Sequence, residues 1–121
     1  MSRNRASAKA AGSSFETLVA GHLASTIDDR IERRRLTGSK DRGDIAGLRV
    51  AGQRVVVECK NYGGQIQAGA WLSETEVERV NDQALAGFVV AKRRGTTSPG
   101  DQIVLMTLSN LIALLNGHRN D

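Results

Sequence analysis

The chain has 121 residues, of which 40% are hydrophobic and 25% are charged, and its formal net charge is +4. This length and composition are typical of one globular domain and exclude a disordered chain. The single cysteine excludes an intramolecular disulfide, and two distant histidines do not complete a zinc site. No apolar run reaches the roughly 18 residues of a membrane span, and no secretory signal is recognisable. We therefore expect a cytoplasmic protein whose basic balance favours a polyanionic partner.

The N-terminal quarter contains a basic segment followed by a predicted helix. Residues 1–12 carry Arg3, Arg5 and Lys9 without hydrophobic periodicity, which predicts a flexible tail, either solubilising or in contact with DNA. A helix is predicted to begin at Ser13, which forms a capping box with Glu16. Its buried stripe consists of Phe15, Leu18, Val19, His22 and Leu23.

The middle of the chain favours strands. Residues 30–36 predict a short strand, and residues 37–43 a polar loop. Two further strands over 44–50 and 54–60 are joined by a tight turn at 51–53. The second of them contains the β-branched run VVVEC, as expected for the interior of a sheet.

The C-terminal half alternates between helix and strand. It predicts a helix over 70–85, strands over 88–92 and 103–107, and a last helix over 110–115 that Ser109 caps and Gly117 ends. The order α-β-β-β-α-β-β-α predicts a single-domain α/β fold in which helices flank a mixed β-sheet. The domain is expected over 13–117, with a short tail over 118–121.

A carboxylate interrupts the most apolar predicted strand. Burying Glu58 in VVVEC is costly unless a partner or a metal compensates its charge. Lys60 lies on the same face of the strand, so one interpretation is a simple pair on a solvated face. The hairpin pairs Asp44 with residue 58 or with residue 59, depending on where the turn is centred. Either register places Asp44 beside Glu58.

Adjacent carboxylates repel each other, and a bound cation relieves that repulsion. Oxygen atoms of Asp44, Glu58 and the Cys59 backbone carbonyl suit Mg²⁺, and Mn²⁺ accepts the same ligands. Mg²⁺ can polarise a phosphodiester and activate a bound water. Lys60 would position that water or stabilise charge on the phosphate. The pattern therefore predicts phosphodiester hydrolysis.

The order of these motifs resembles the PD-(D/E)xK nuclease superfamily, and in particular the small Holliday junction resolvases of archaea and bacteriophages. GSSFETLV matches an early helical glutamate at Glu16, RRRLTGSKDRGDIAG matches a basic strand and loop before Asp44, and RVVVECKN matches a strand that ends in E-x-K. The match covers roughly residues 12–107 and departs from the family at Gly43, where the family name has proline. The resemblance implies a restriction-endonuclease-like core with Glu16, Asp44, Glu58 and Lys60 as its catalytic residues. It also implies that Glu16 adds a carboxylate to the metal site.

Two basic clusters flank this predicted site. Charge runs usually form solvated faces, but two of them beside a site for phosphate chemistry fit a track for the DNA backbone. The predicted DNA-contacting residues are Arg33, Arg34, Arg35, Ser39, Lys40 and Arg42 in the first cluster and Lys92, Arg93 and Arg94 in the second. Thr37 and Gln83 are weaker candidates, and Trp71 is either a core or an interface anchor.

The resemblance implies a Mg²⁺-dependent endonuclease that resolves four-way DNA junctions as a homodimer, in recombination or repair. A bacteriophage source would place it in the host cytoplasm. One alternative is an enzyme of the same fold that cuts duplexes or nicks single strands, in restriction or repair. A non-catalytic DNA-binding protein is the least favoured alternative, because a degenerate member would be expected to have lost one of the four catalytic residues. No membrane partner is expected.

Overall fold

The computed structural model of the chain describes residues 4–34 and 43–120. Within them the chain forms three α-helices and six β-strands. Their bounds are α1 (Arg5–Thr26), β1 (Glu32–Arg33), β2 (Ile45–Ala46), β3 (Arg49–Val50), β4 (Gln53–Lys60), α2 (Ala68–Asn81), β5 (Ala86–Ala91), β6 (Ile103–Leu105) and α3 (Leu108–Asn116), with a short 3₁₀ turn at Pro99–Asp101. None of the described helices is long and apolar enough to cross a membrane.

The strands form one mixed sheet in the order β1-β2-β4-β5-β6, and β3 pairs with β4 beside this path. Only β4 and β5 run parallel, and α2 makes the crossover between them. The other pairs are antiparallel. The prediction of an α/β domain with helices around a mixed sheet is confirmed. The order of elements along the chain has one strand more than predicted, because the strand expected over 44–50 is divided into β2 and β3.

A bulge at Gly47 causes that division. Arg49 pairs with Arg54, whereas Ile45 pairs with Val57, so one extra residue lies on the β2–β3 side. Gly47 has φ 91°, and a Cβ atom there would lie 2.6 Å from the Arg30 carbonyl oxygen. Only glycine therefore fits at this position. β3 pairs with β4 in the register that would place Asp44 opposite residue 59, whereas β2 pairs in the register that places it opposite residue 58. Both registers expected from the sequence therefore occur, one on each side of the bulge, and Asp44 lies beside the end of β4.

The two faces of β4 pack against different helices. Val55 and Val57 lie in one core cluster with Phe15 and Val19 of α1. On the other face, Val56 lies beside Gly87 of β5, under α2. A Cβ atom on Gly87 would come within 2.8 Å of the Thr75 side chain, so the glycine allows α2 to approach the sheet closely.

Trp71 anchors α2 to the sheet. Its side chain is buried and packs with Val89 and Ala91 of β5, and Ile103 and Leu105 of β6 complete the cluster. The structure therefore assigns Trp71 to the core within this chain.

The first helix begins earlier than its hydrophobic stripe. The prediction of a flexible tail is wrong for residues 5–12, which form the first two turns of α1. Asn4 caps the helix by accepting a hydrogen bond from the Ser7 amide at 2.7 Å, so the predicted capping box at Ser13 is also wrong. Alanine, lysine and arginine have high helix propensity, which sustains these turns although their side chains are largely exposed.

The last helix also begins earlier than predicted. Thr107, not Ser109, caps α3 and accepts from the Asn110 amide at 3.2 Å. Gly117 ends the helix in the left-handed conformation at φ 76°, as predicted. Arg119, in the predicted C-terminal tail, donates to the Leu85 carbonyl oxygen at 2.9 Å, so this residue docks on the domain.

Candidate active site

The C-terminal end of β4 borders a cavity of about 890 Å³. Its walls come from α1, from the segment before β2, from the end of β4 and from the loop over residues 61–65. The lining includes all four residues predicted to be catalytic: Glu16, Asp44, Glu58 and Lys60. Residues that are up to 44 positions apart in sequence therefore lie around one cavity.

Backbone contacts hold Asp44 in place. Its Oδ2 atom accepts a hydrogen bond from the Cys59 amide at 2.8 Å, and its own amide donates to the Val57 carbonyl oxygen at 2.9 Å. Its carbonyl oxygen accepts from the Arg34 amide at 2.7 Å. The N–H and C=O groups of one strand residue point to the same side. The Cys59 carbonyl therefore faces the Asp44 side, as the predicted metal site requires.

Three carboxylates act on the Cys59 thiol. Burial is the largest cause that raises the pKa of this thiol, and the negative charges of Asp44, Glu16 and Glu58 raise it further. Glu58 is itself buried. The half-buried Cys59 thiol and these three carboxylates therefore lie in one region at the end of β4. Such a concentration of negative charge is unfavourable in the folded state unless cations compensate it.

An arginine holds the helix carboxylate. Arg33 of β1 donates from Nε to Glu16 Oε2 at 2.7 Å and from Nη2 to Ser13 Oγ at 3.1 Å. Within residues 4–34 and 43–120, no three His, Cys, Asp or Glu side chains are close enough together to enclose one metal ion. Glu16 must therefore turn away from Arg33 before it can join Asp44 and Glu58 around a cation.

Lys60 has a partner that the sequence did not identify. Its Nζ atom lies 3.3 Å from Glu74 Oε1 on α2, and its side chain is 15% exposed whereas that of Glu74 is 52% exposed. Burial acts to lower the pKa of Lys60, but the charges of Glu74 and Glu58 outweigh it and raise the pKa. In the sequence Glu74 resembles any exposed residue of a helix, and only the packing of α2 over β4 shows that it contacts Lys60.

The second basic cluster is divided in two. The Lys92 ammonium donates to the carbonyl oxygens of Arg93 and Thr96, both at 2.5 Å, and so shapes the loop that follows β5. Arg93 and Arg94 are exposed. Arg94 lies against the cavity loop, with its Nε atom 3.4 Å from the Gly63 carbonyl oxygen. Arg94 is therefore the member of this cluster that lies against the loop at the cavity rim.

The first basic cluster is described only in part. Arg33 makes the ion pair with Glu16, and Arg34 is half-buried beside Asp44. The remaining predicted residues of this cluster, Arg35, Thr37, Ser39, Lys40 and Arg42, lie outside the described residues.

The first turns of α1 add a basic face to the site. Ala8 and Gly12 line the cavity together with Glu16. Arg5 and Lys9 are exposed and precede Gly12 by seven and three residues, which places them on the same helical face. This spacing is visible in the sequence, but it has meaning only once residues 5–12 are known to be helical.

Gln83 does not belong to the site. It lies exposed in the turn after α2, with φ 50°. The neighbouring Leu85 amide bonds to the carbonyl oxygen of Arg54, at the opposite end of β4 from Lys60. The weak prediction of a functional glutamine on α2 is therefore wrong.

Tyr62 forms an aromatic part of the rim. It lines the cavity and is half exposed, and its ring packs on buried Trp71 with centroids 5.2 Å apart. Comparison of the chain with protein-family models, with curated proteins and with solved structures found no match. Function is therefore inferred from the geometry of the site and from the motifs in the sequence.

Proposed function

We propose that this chain is a Mg²⁺-dependent DNA endonuclease of the PD-(D/E)xK type. The observation that carries the proposal is the convergence of Glu16, Asp44, Glu58 and Lys60 on one cavity. Purely structural ion pairs do not require three carboxylates along the wall of one cavity. Such an arrangement destabilises the folded state, and it is explained if the site binds a cation during function.

The donor set fits a hard divalent cation. Asp44, Glu58 and the Cys59 carbonyl would supply oxygen ligands, and Glu16 would add a further one after leaving Arg33. Mg²⁺ bound there would supply a Lewis acid that polarises a phosphate and lowers the pKa of water.

The protonation state of Lys60 defines its task. A lysine that serves as a general base needs a pKa lowered towards neutrality. The pKa of Lys60 is raised instead, despite burial, by the charges of Glu74 and Glu58. Lys60 therefore remains a cation at neutral pH. It would orient the attacking water or stabilise charge on the phosphate oxygens, rather than remove a proton.

Basic residues around the cavity would hold the DNA backbone. Arg94 lies on the loop side of the rim, and Arg5 and Lys9 lie on the face of α1 that lines the cavity. Arg33 would exchange the Glu16 carboxylate for a phosphate when DNA binds, which would release Glu16 for the cation.

A four-way DNA junction is the preferred substrate within this reaction class, and a homodimer is the preferred working form. Both choices rest on the resemblance to junction resolvases. A two-fold dimer also matches the two-fold symmetry of a junction that is cut on two strands.

The test is cleavage of a labelled four-way junction beside a linear duplex of matched sequence, with Mg²⁺ or with EDTA. Asp44→Asn is the informative variant, because its amide oxygen can still accept the hydrogen bond from the Cys59 amide. Asp28→Asn is the matched control, since Asp28 pairs with Arg30 outside the cavity. Symmetric nicks in the junction alone, lost with EDTA and in Asp44→Asn but kept in Asp28→Asn, are expected.

Two other outcomes replace parts of the proposal. Equal cutting of both substrates would keep the nuclease and discard the junction preference. Binding without cleavage under either Mg²⁺ or Mn²⁺ would assign the chain to the non-catalytic alternative.

A further inference from the structure

The rim of the cavity carries the only exposed aromatic side chain of the molecule. The chain has one Tyr, one Trp and two Phe, all within the described residues. Phe15 and Trp71 are buried, and Phe88 is partly buried against the core. Tyr62 is 50% exposed and lines the cavity two residues after Lys60. Single exposed apolar residues are common on protein surfaces, but a ring in this position lies within reach of whatever enters the site.

The ring of Tyr62 is fixed by its contact with the core. It packs on buried Trp71, with the ring centroids 5.2 Å apart and the ring planes tilted by 48°. Trp71 in turn belongs to the cluster that joins α2 to the sheet. The exposed half of the tyrosine is therefore presented by a side chain whose place is already set. Such a side chain loses little conformational entropy when a ligand binds, which favours binding through it.

The backbone that carries the ring is fixed as well. Asn61 Oδ1 accepts a hydrogen bond from the Gly63 amide at 3.2 Å, and Asn61 Nδ2 donates to the Ala11 carbonyl oxygen of α1 at 3.4 Å. The Tyr62 carbonyl oxygen accepts from the Gln65 amide at 3.2 Å. These contacts join the rim loop to the helix on the other side of the cavity. Tyr62 therefore has a defined position relative to the catalytic carboxylates.

The ring also lies near the cationic side chain of the site. Burial acts to lower the pKa of Lys60, and the charges of Glu74 and Glu58 outweigh it. A smaller contribution, from the ionised form of Tyr62, also raises this pKa, which agrees with the shared place of the two side chains in the cavity wall. A phosphate that Lys60 holds would therefore bring the adjoining nucleotide to Tyr62.

We propose that Tyr62 stacks on a nucleobase next to the cut, so that the site selects DNA in which a base face is exposed there. This role of Tyr62 rests on the proposed function, because it takes DNA as the substrate. Stacking on an aromatic side chain contributes about tenfold in affinity per base. In an intact duplex both faces of each base are covered by neighbouring base pairs, so the ring gains this contact only if a base is first unstacked.

The composition of the rim favours a base over other parts of DNA. Phosphates are bound through cations, and Lys60 and Arg94 already supply these. The phenol of Tyr62 never carries a positive charge, and its flat apolar face matches the face of a base. Proteins that hold extended single strands use several aromatic side chains, whereas this chain exposes one. One base beside the cut, rather than a whole strand, is therefore the expected contact.

Recognition of an exposed base does not require four DNA arms. A duplex with a single-nucleotide bulge also presents an unstacked base, although it lacks the symmetry of a junction. If Tyr62 supplies the discrimination, the bulged duplex should compete with the junction for the site, and an intact duplex should compete less well. The expected substrates are thus defined by local unstacking as well as by branching.

Equilibrium binding in EDTA tests this role without cleavage. An intact duplex, the same duplex with one bulged base and a four-way junction are compared, and the wild type is expected to bind the last two more tightly. Tyr62→Leu keeps an apolar side chain over Trp71. It should lose at least about fivefold in affinity for the bulged duplex and the junction, with affinity for the intact duplex unchanged. Tyr62→Phe keeps the ring and should bind as the wild type does.

Ile66→Ala is the matched control, since Ile66 is an exposed apolar residue of the same segment that lies outside the lining of the cavity. It should bind all three DNAs as the wild type does. Irradiation of a bulged duplex that carries iodouracil as the unpaired base should cross-link this base to Tyr62, and mass spectrometry identifies the residue.

Four results would overturn the stacking contact: no preference of the wild type for bulged or branched DNA, unchanged binding by Tyr62→Leu, an equal loss on the intact duplex, or a loss in Tyr62→Phe as large as in Tyr62→Leu. The last of these would assign the contact to the hydroxyl group. Selective binding without cleavage in Mg²⁺ would reject the proposed nuclease and keep the stacking contact. Cleavage that Tyr62→Leu leaves unchanged, together with unchanged binding, would reject the stacking contact and keep the nuclease.

Discussion

The two ends of the sheet arrange their charged and polar groups differently. At the start of β5, opposite charges and hydrogen-bonding groups are matched: Arg79 pairs with Glu76, Arg119 with Asn110, and both arginines also donate to backbone carbonyls. At the end of β4, Glu16, Asp44 and Glu58 lie near one thiol, and among the described residues Arg33 pairs with Glu16 while Lys60 lies near Glu58. At the start of β5 these arginines are matched with their acceptors, whereas the end of β4 brings like charges together.

This contrast indicates which end has been shaped by something other than stability. A closed network of buried hydrogen bonds stabilises and orients the elements that it joins. Clustered carboxylates destabilise the folded chain, and a fold retains such a cluster where function requires it. Replacing a glutamate by glutamine should therefore keep or raise stability at the end of β4 and lower it at the start of β5.

The largest effect is expected for Glu58→Gln compared with Glu76→Gln. The first change removes one of the clustered charges, so cleavage should fall at least about 100-fold, while thermal stability and DNA binding are kept or improved. The second removes a charge that pairs with Arg79, so cleavage should be unchanged while stability falls by up to about 1 kcal/mol. Cleavage assays and thermal unfolding of both variants make this comparison. A loss of stability in Glu58→Gln would show that Glu58 is structural.

The pH dependence of stability should reflect the titration of Glu76, which pairs with Arg79. Hydrogen bonds from Arg79 are the main cause that lowers the pKa of Glu76 in the folded chain. A carboxylate with a lowered pKa stabilises the fold above its unfolded-state pKa of about 4.3, and that contribution is lost as the pH falls through the folded-state value. Unfolding measured from pH 7 to pH 3 should therefore differ between wild type and Glu76→Gln near neutrality and converge in acid.

The next effect concerns Lys60, the cationic side chain of the site. Glu74→Gln removes the carboxylate that holds Lys60 but keeps the shape of the side chain. Turnover should fall by up to about tenfold, because Lys60 loses its fixed position, while DNA binding is unchanged. The pKa of Lys60 should also fall, since one of the negative charges that raise it is gone. The alkaline limit of activity would then move to lower pH. Measured kcat and KM across pH would contradict this role if only KM changed.

A smaller effect separates two neighbouring basic residues. Arg94→Ala should weaken DNA binding and reduce its salt dependence by about one charge, because Arg94 lies exposed at the rim. Lys92→Ala should leave the salt dependence unchanged and loosen the loop, because the Lys92 ammonium is bound to the Arg93 and Thr96 carbonyls. Binding isotherms at several salt concentrations distinguish the two residues. Equal slopes for both variants would remove Arg94 from the DNA track.

The sequence predicted the parts of this molecule that depend on short-range patterns. The β-branched run in β4, the turn at 51–53 and the E-x-K strand each follow from local chemistry, and together they place Asp44 beside Glu58 in either register. The bulge at Gly47 could not be predicted, because its cause is the close approach of the Arg30 backbone, a contact between distant segments.

Helix boundaries and ion pairs were harder to predict for the same reason. Residues 5–12 have helix propensity but no buried stripe, so hydrophobic periodicity predicts the helix only from Ser13, just before its first core residue. The contact between Glu74 and Lys60 depends on how α2 crosses the sheet, and exposed glutamates on a helix show no sequence signal for it. Local sequence pattern therefore predicts that Asp44 lies beside Glu58, whereas the contact of Glu74 with Lys60 depends on long-range packing.

The smallest expected effect measures the charge cluster directly. Cys59 should react slowly with iodoacetamide at pH 8 in the folded chain, because burial and then the neighbouring carboxylates raise the pKa of its thiol and suppress the reactive thiolate. Asp44→Asn removes one of these charges, so the pKa should fall and alkylation should become faster, although burial still limits the rate. Asp28→Asn, outside the cluster, should react as the wild type does. Mass spectrometry of alkylation over time provides the rates. Equal rates in Asp44→Asn and wild type would mean that burial alone protects the thiol, and that the carboxylates do not share one electrostatic site.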